Sequence, residues 1–411
     1  MRMLFLLLAL PLVVRAEEAW TQFRGPNGTG LSQSRGLPLH WDDQKNVVWK
    51  TPIHHWGWSS PVVLGKQVWV TTAAENGKQQ WAVCVDRDSG KIVHDVKVFD
   101  TPKVPYTFVK DYNSHASPTP VIEEGRVYVH FGSAGTACVD TATGKIHWTR
   151  RDLPCDHWRA PASSPILHGN LLVLTFDGYD RQYLVGLDKA TGKTVWETKR
   201  DVDYKTDNGD LKKAYSTPGI FTIEGKLQLI SPGAGGTIAL EPATGKEIWK
   251  VNHGGMNAAT PPVLGDGKIF VTTGNPAHLV AIRPNGTGDV TSSHVAYRVT
   301  REVAQRPGPV IVGDLLIQVS DNGIATALEV ATGAQVWSRR LSGAFYSSPV
   351  VADGRLYIFD RKGKGVVLSA DREGKILATN QLPDGITATP AIAGQALFVR
   401  TATHLYRIEQ K

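Results

Sequence analysis

The chain has 411 residues, with 45 Lys and Arg against 38 Asp and Glu, a formal charge of +7, 41 glycines, 24 prolines and three cysteines. Its basic residues are scattered through turns instead of forming a dense stripe with interleaved aromatics, so nucleic-acid binding has no support. Three cysteines, Cys84, Cys138 and Cys155, cannot build a disulfide framework.

Residues 1–16 carry the pattern of a secretory signal: Arg2, an apolar run from Leu4 to Val14, and a small-x-small site at Val14-Arg15-Ala16. The mature protein is expected to begin near Glu17 and to be periplasmic or secreted. No Cys follows the cleavage site to carry a lipid anchor, and no other apolar stretch reaches the roughly 18 residues of a membrane span. Residues 17–45 read as an N-terminal extension that opens with Trp20-x-x-Phe23-Arg24-Gly25-Pro26-x-Gly28-x-Gly30.

From residue 46 to 411 two phrases alternate. One is Asp-x-x-(Ser/Thr)-Gly-Lys followed by a short strand that usually ends in Trp. It stands at Asp86–Lys91, Asp140–Trp148, Asp188–Trp196, Glu241–Trp249 and Glu329–Trp337, with a worn copy at Asp371–Ala378. The other is Ser or Thr, then Pro, two apolar residues, a Gly turn and an alternating apolar strand. In the first unit Val62-Val63, Val68–Thr71, Ala82–Val85 and Ile92-Val93 give four short strands of period two, the pattern of a half-buried antiparallel meander. The acidic residue of the turn can bond the amides ahead of it, and Gly takes a positive φ at no steric cost. Trp148, Trp196, Trp249 and Trp337, and Trp49 in the early strand Asn46–Lys50, are expected to dock one unit on the next.

Pro61, Pro118, Pro165, Pro218, Pro261, Pro309, Pro349 and Pro390 open eight units at intervals of roughly 40 to 57 residues, a period that suits propeller blades. The fifth unit is irregular, with its fourth strand expected near His294–Arg298. The eighth lacks a fourth strand, which Asn46–Lys50 can supply. The expected fold is therefore all-β: one eight-bladed β-propeller of four-stranded antiparallel blades, its ring closed by an N-terminal strand.

These repeats resemble the PQQ-like (quinoprotein-type) repeat propellers, a family that includes quinoprotein alcohol dehydrogenases and the propeller lipoprotein of the outer-membrane assembly machine. The resemblance covers about Val47 to Ile408, and the opening Trp20–Gly30 motif is similar to the start of secreted bacterial proteins of this type. It implies a site at the funnel around the propeller axis, and in the dehydrogenases a quinone over a Trp floor, Ca²⁺ on acidic and Asn ligands, and an Asp base.

Counting three residues back from each opening proline places Trp58, His115, Ala162, Tyr215, Ala258, Arg306, Tyr346 and Thr387 at the funnel mouth, with Arg159 and Asn257 close by. Trp58, His115, Arg159, Tyr215, Asn257, Arg306 and Tyr346 are the candidate binding residues, suited to a planar or anionic group. None of the eight inner positions is acidic, so neither a metal nor a general base has a ligand set there. Asp201, Asp203, Asp207 and Asp210 cluster in one loop, but lysines interrupt them and a solvated loop is expected. No catalytic residue, metal or cofactor is assigned. The expected function is a non-catalytic exported scaffold that binds a protein or cell-envelope polymer through its loop-rich face. The alternative is a PQQ-dependent oxidoreductase using Ca²⁺.

Overall fold

The computed structural model describes residues 19–108 and 111–411; the secretory signal expected at residues 1–16 lies outside them. Eight separate antiparallel sheets follow one another along the chain. Blade 1 consists of Val62–Leu64, Gln67–Ala73, Gln79–Asp86 and Ile92–Asp100, and blade 3 of Ile166–His168, Leu171–Asp177, Gln182–Asp188 and Thr194–Lys199. Burial follows strand position. Leu171–Asp177 is buried at every residue, whereas Thr194–Lys199 is mostly exposed, as befits an outer edge.

The expected closure is present. Val47–Pro52 pairs antiparallel with His404–Glu409, so blade 8 is built from both ends of the propeller. Blade 5 has Val295–Val299 as its fourth strand, and the insertion before it adds an unexpected element. Gly288–Asp289 runs parallel to Glu247–Asn252 and gives blade 4 a fifth strand. Another difference is in blade 1, where the fourth strand, expected at Ile92-Val93, runs on to Asp100.

The repeated turn is a docking device. In blade 3 the Asp188 carboxylate accepts from the Thr191 amide at 2.8 Å and its hydroxyl at 2.7 Å. Gly192, at φ 73°, has no side chain to obstruct the Trp148 ring of blade 2. The indole Nε1 of Trp148 donates to Lys189 O at 3.0 Å, on the same turn. Trp49 does the same over Gly90, donating to Arg87 O, and Trp337 over Gly374, donating to Asp371 O. Trp196 covers Gly245. Two other residues stand in for Trp: His94, whose Nε2 lies 3.0 Å from Thr141 O, and Tyr297, whose hydroxyl donates to Val330 O at 2.7 Å. Trp249 differs because the blade 5 insertion replaces the usual turn, and its Nε1 donates to Gln228 Oε1 at 2.8 Å. A docked ring hides on the order of 150 Å² from water, roughly 4 kcal/mol of apolar burial.

Around the axis, the residue before the strand-opening proline makes a second circuit. The Ser60 amide donates to Thr119 Oγ1, Thr119 to Ser164 Oγ and Ser164 to Thr217 Oγ1; beyond a gap, Gly308 donates to Ser348 Oγ, Ser348 to Thr389 Oγ1 and Thr389 back to Ser60 Oγ. All six bonds are 2.9–3.0 Å long. The gap falls where blades 5 and 6 place Pro261 and Gly308, neither of which has a hydroxyl.

The extension closes the channel below this circuit. Trp20 exchanges backbone bonds with Val63 of blade 1, Thr21 O accepts from Ile122 of blade 2, and Gly30 and Ser32 bond Val351 of blade 7. Further along, Trp41 packs against Tyr357 and Phe359 of blade 7, whose own fourth strand has Ala378 where a Trp is usual. What remains open is a cup, entered from the side on which each fourth strand returns to the next first strand.

Candidate functional site

The cup encloses about 440 Å³ and is lined by Trp58, Arg159, Tyr215, Asn257, Arg306 and Tyr346 together with Tyr112, Asp210, Asn275 and Gln305. Its floor is the hydroxyl circuit, and Phe23 of the extension also lines it. Six of the seven residues singled out from sequence therefore meet in one cavity.

His115 is not among them. Blade 2 begins with Ser117-Pro118-Thr119-Pro120, and the first strand, Val121–Glu123, follows the second of these prolines. Counting from Pro120 puts Ser117, not His115, at the mouth. His115 lies behind the wall with its ring 3.9 Å from that of Phe108 and its Nδ1 3.2 Å from the Tyr106 hydroxyl. Burial lowers its pKa to about 4. A similar slip of one residue occurs in blade 5, where Val263–Gly265 follows Pro262, so Ala259 lines the cup instead of Ala258.

Arg306 is held from two sides. Its Nη1 donates to Asp321 Oδ1 at 2.6 Å, and the amides of Gln305 and Arg306 donate to Asp321 Oδ2. Its guanidinium lies 4.3 Å from the centre of the Tyr346 ring, while Arg361 lies 4.5 Å from the same ring. Trp58 meets Tyr346 edge to face at 6.0 Å. The result is a stacked aromatic and cationic wall that presents planar faces and guanidinium edges to the cup.

Across the cavity Arg159 lies in a run of three positive φ angles: Trp158 at 43°, Arg159 at 85° and Ala160 at 67°. Left-handed backbone at non-Gly residues costs of order 1 kcal/mol each and persists only when neighbours fix it. Here the Arg159 amide donates to Thr107 O, Asn113 Nδ2 donates to Ala160 O, and the Tyr215 hydroxyl donates to Trp158 O. The strain holds Arg159 over the Tyr112 ring at 4.7 Å.

The one carboxylate lining the cup is Asp210, from the acidic loop expected to be merely solvated. It accepts from Lys213 Nζ, and Lys213 is buried beneath it, with burial lowering the lysine pKa. Among the described residues no three His, Cys, Asp or Glu side chains gather where they could hold a metal ion. A Ca²⁺ site needs several oxygen ligands including carboxylates. Asp210 is already bonded to Lys213 and Asp321 to Arg306, so the carboxylates at the cup do not fit a quinone with Ca²⁺. The three cysteines are free and buried, away from the cup lining. No helix among the described residues is long and apolar enough to cross a membrane.

The architecture has known counterparts. The sequence profile described as "Outer membrane protein assembly factor BamB" matches residues 72–339 and 233–377. BamB of Yersinia pestis is 26% identical over 214 residues, 48% of this chain and 52% of that protein, so the chain spans about half of this relative's length. Quinoprotein ethanol dehydrogenase of Pseudomonas putida is 28% identical over 174 residues, 38% of this chain and 26% of the enzyme. Among solved structures, quinohemoprotein alcohol dehydrogenase from Comamonas testosteroni superposes with a TM-score of 0.69 at 12% identity, covering 95% of this chain and 80% of that one, a likeness of fold alone. With the repeat, the eight closed blades and a profile match over most of its length, this chain belongs to the BamB-like family of PQQ-type repeat β-propellers.

Proposed function

We propose that this protein is an exported, non-catalytic propeller that binds a protein or cell-envelope partner through the loop-rich face around the cup. The observation that carries the reading is the composition of the mouth. Trp58, Tyr215, Tyr346, Arg159 and Arg306 line it, and its one carboxylate is bonded to a buried lysine. Trp, Tyr and Arg are the residues that dominate binding energy at protein interfaces, whereas acid–base catalysis needs a titratable group free to exchange a proton. Large apolar side chains also stand out from the surrounding loops, with Tyr112 51% and Tyr179 40% exposed. BamB relatives are named as assembly factors, which agrees with a binding role. Export rests on the signal pattern at residues 1–16.

Arg306→Ala combined with Tyr346→Ala is expected to leave the melting temperature almost unchanged and to weaken capture of an envelope partner from an extract of the native host. Unaltered capture by the double variant would place the interface elsewhere. Relatives that are quinoproteins motivate the alternative, a PQQ and Ca²⁺ oxidoreductase. Its test is incubation with quinone, Ca²⁺ and alcohols or sugars, and reduction of an artificial acceptor would overturn the non-catalytic reading.

A further inference from the structure

The floor of the cup has chemistry that a partner-binding rim does not require. Each of the six hydroxyls in the axial circuit accepts a backbone N–H. A hydroxyl that accepts still has its own proton to donate, and none of these six donates to an acceptor among the described residues. All six are at least nine-tenths buried and all six line the cup. Hydroxyls that accept from amides are polarised into better donors, so the floor is a ring of hydrogen-bond donors facing one cavity.

Two buried cations adjoin it. Arg24 fills the gap in the ring: its Nη2 donates to Pro309 O and Thr29 O, and a Cβ on Gly308 would lie 2.4 Å from its Nη1. The Nε and Nη1 of Arg24 have no hydrogen-bond partner. Arg400, on the opposite side, donates to Ser59 O, Ser59 Oγ and Thr71 O, next to Ser60 of the ring. Both guanidiniums are fully enclosed, and neither has a carboxylate partner among the described residues. Burial lowers both pKa values to about 9. Water would satisfy donor hydroxyls, but water does not offset two buried positive charges.

We propose that the floor of the cup binds a compact oxyanion, a sulfate, phosphate or carboxylate group, hydrogen-bonded by the hydroxyl ring in the field of Arg24 and Arg400. The site is the floor of the same cup whose mouth forms the partner-binding rim, but the hydroxyl ring itself is not among the rim residues. Atoms at the mouth, chiefly Arg159 and Trp58, would contact whatever the oxyanion is attached to.

The test uses the purified full-length protein in chloride buffer, titrated with sulfate, phosphate or citrate at constant ionic strength and followed by thermal unfolding and calorimetry. A saturable, single-site response is expected for at least one of them. Response to sulfate or phosphate identifies a free inorganic anion, and response to citrate alone a carboxylate-bearing ligand. Thr217→Val, which keeps the shape but removes one donor and the acceptor of the Ser164 amide, should weaken binding about tenfold, while Thr217→Ser, which retains the hydroxyl, should bind as wild type. If all salts shift unfolding alike without saturating, the wild-type protein alone overturns the proposal; equal affinity in the Val and Ser variants overturns the assignment to the ring. Partner capture by wild type and the Thr217 variants, measured without added anion, distinguishes failure of this proposal from failure of the rim reading.

Discussion

Two glycines separate backbone strain from blade docking. Gly125 and Gly192 have nearly the same backbone, φ 76° and 73°, so replacing either by Ala imposes the same left-handed penalty, about 1 kcal/mol. A Cβ on Gly125 would meet nothing within 4 Å, whereas one on Gly192 would lie 2.7 Å from Trp148 Cε3 and 2.8 Å from Cδ2. The ring cannot simply turn aside, because its Nε1 is bonded to Lys189 O. Displacing a packed side chain in this way costs about 1–3 kcal/mol more. Gly125→Ala is therefore expected to lose about 1 kcal/mol and Gly192→Ala about 2–4 kcal/mol, measured by denaturant unfolding with an unchanged slope. Relative to Trp148→Ala alone, adding Gly192→Ala should cost only about 1 kcal/mol, since the clash has one partner. Equal losses in the two single variants would mean that the turn glycines serve only the backbone and that docking on Trp is incidental.

Acid should destabilise the protein before its carboxylates protonate. Burial lowers the pKa of His130 to about 3 and of His157 and His253 to about 4. The unfolded chain binds these protons near pH 6.5 and the folded chain does not, so stability is complete above pH 6.5 and falls as the pH drops toward 4. Each such histidine accounts for roughly 3 kcal/mol over that window. Denaturation midpoints that stay level from pH 6.5 to 4.5 would refute this, and His253→Gln should reduce the slope by about one proton. A different buried pair gives a third expectation. Arg200 donates to both oxygens of Asp177 at 2.6 and 2.7 Å and to Ser231 of the next blade, with both partners enclosed. Asp177→Asn should cost about 3–5 kcal/mol by stranding the guanidinium, while Asp177→Leu with Arg200→Met should cost far less. A double variant as unstable as the single one would show that the cost lies in packing, not in charge.

The blades were legible because each is specified by a few neighbouring residues. An acidic turn residue with its Ser or Thr and Gly, or a period-two strand, acts locally, and Asn46–Lys50 carries the fourth-strand pattern wherever it pairs. The mouth was legible only as far as the counting origin was sound. Where prolines are doubled, at Pro118 and Pro120 and at Pro261 and Pro262, the local chemistry of the first equals that of the second. Only strand register distinguishes them, so counting from Pro118 points to His115 where the strand after Pro120 puts Ser117. Asp210 reads as one of four solvated loop acids because its place at the cup depends on Lys213 folding under it in a loop with no repeat. Arg24 sits in a motif seen at once, yet nothing near it in sequence says that its head lies 285 positions away beside Pro309. The Ser and Thr before the strand-opening prolines are visible in the repeat, but that their hydroxyls meet around one ring follows only from closure of the blades.

The two ends of the described chain act as fasteners. Val47–Pro52 has no partner until His404–Glu409 exists, and the strap at residues 20–32 grips Val63 at one end and Val351 at the other. During synthesis residues 20–52 must wait for the last two blades, so the ring cannot lock from its leading end. A nascent chain of this design keeps an open, alternating strand to the end, which favours long-range pairing that is slow and late. That delay makes the interval before locking the moment when a stray strand edge is most open to capture by another chain.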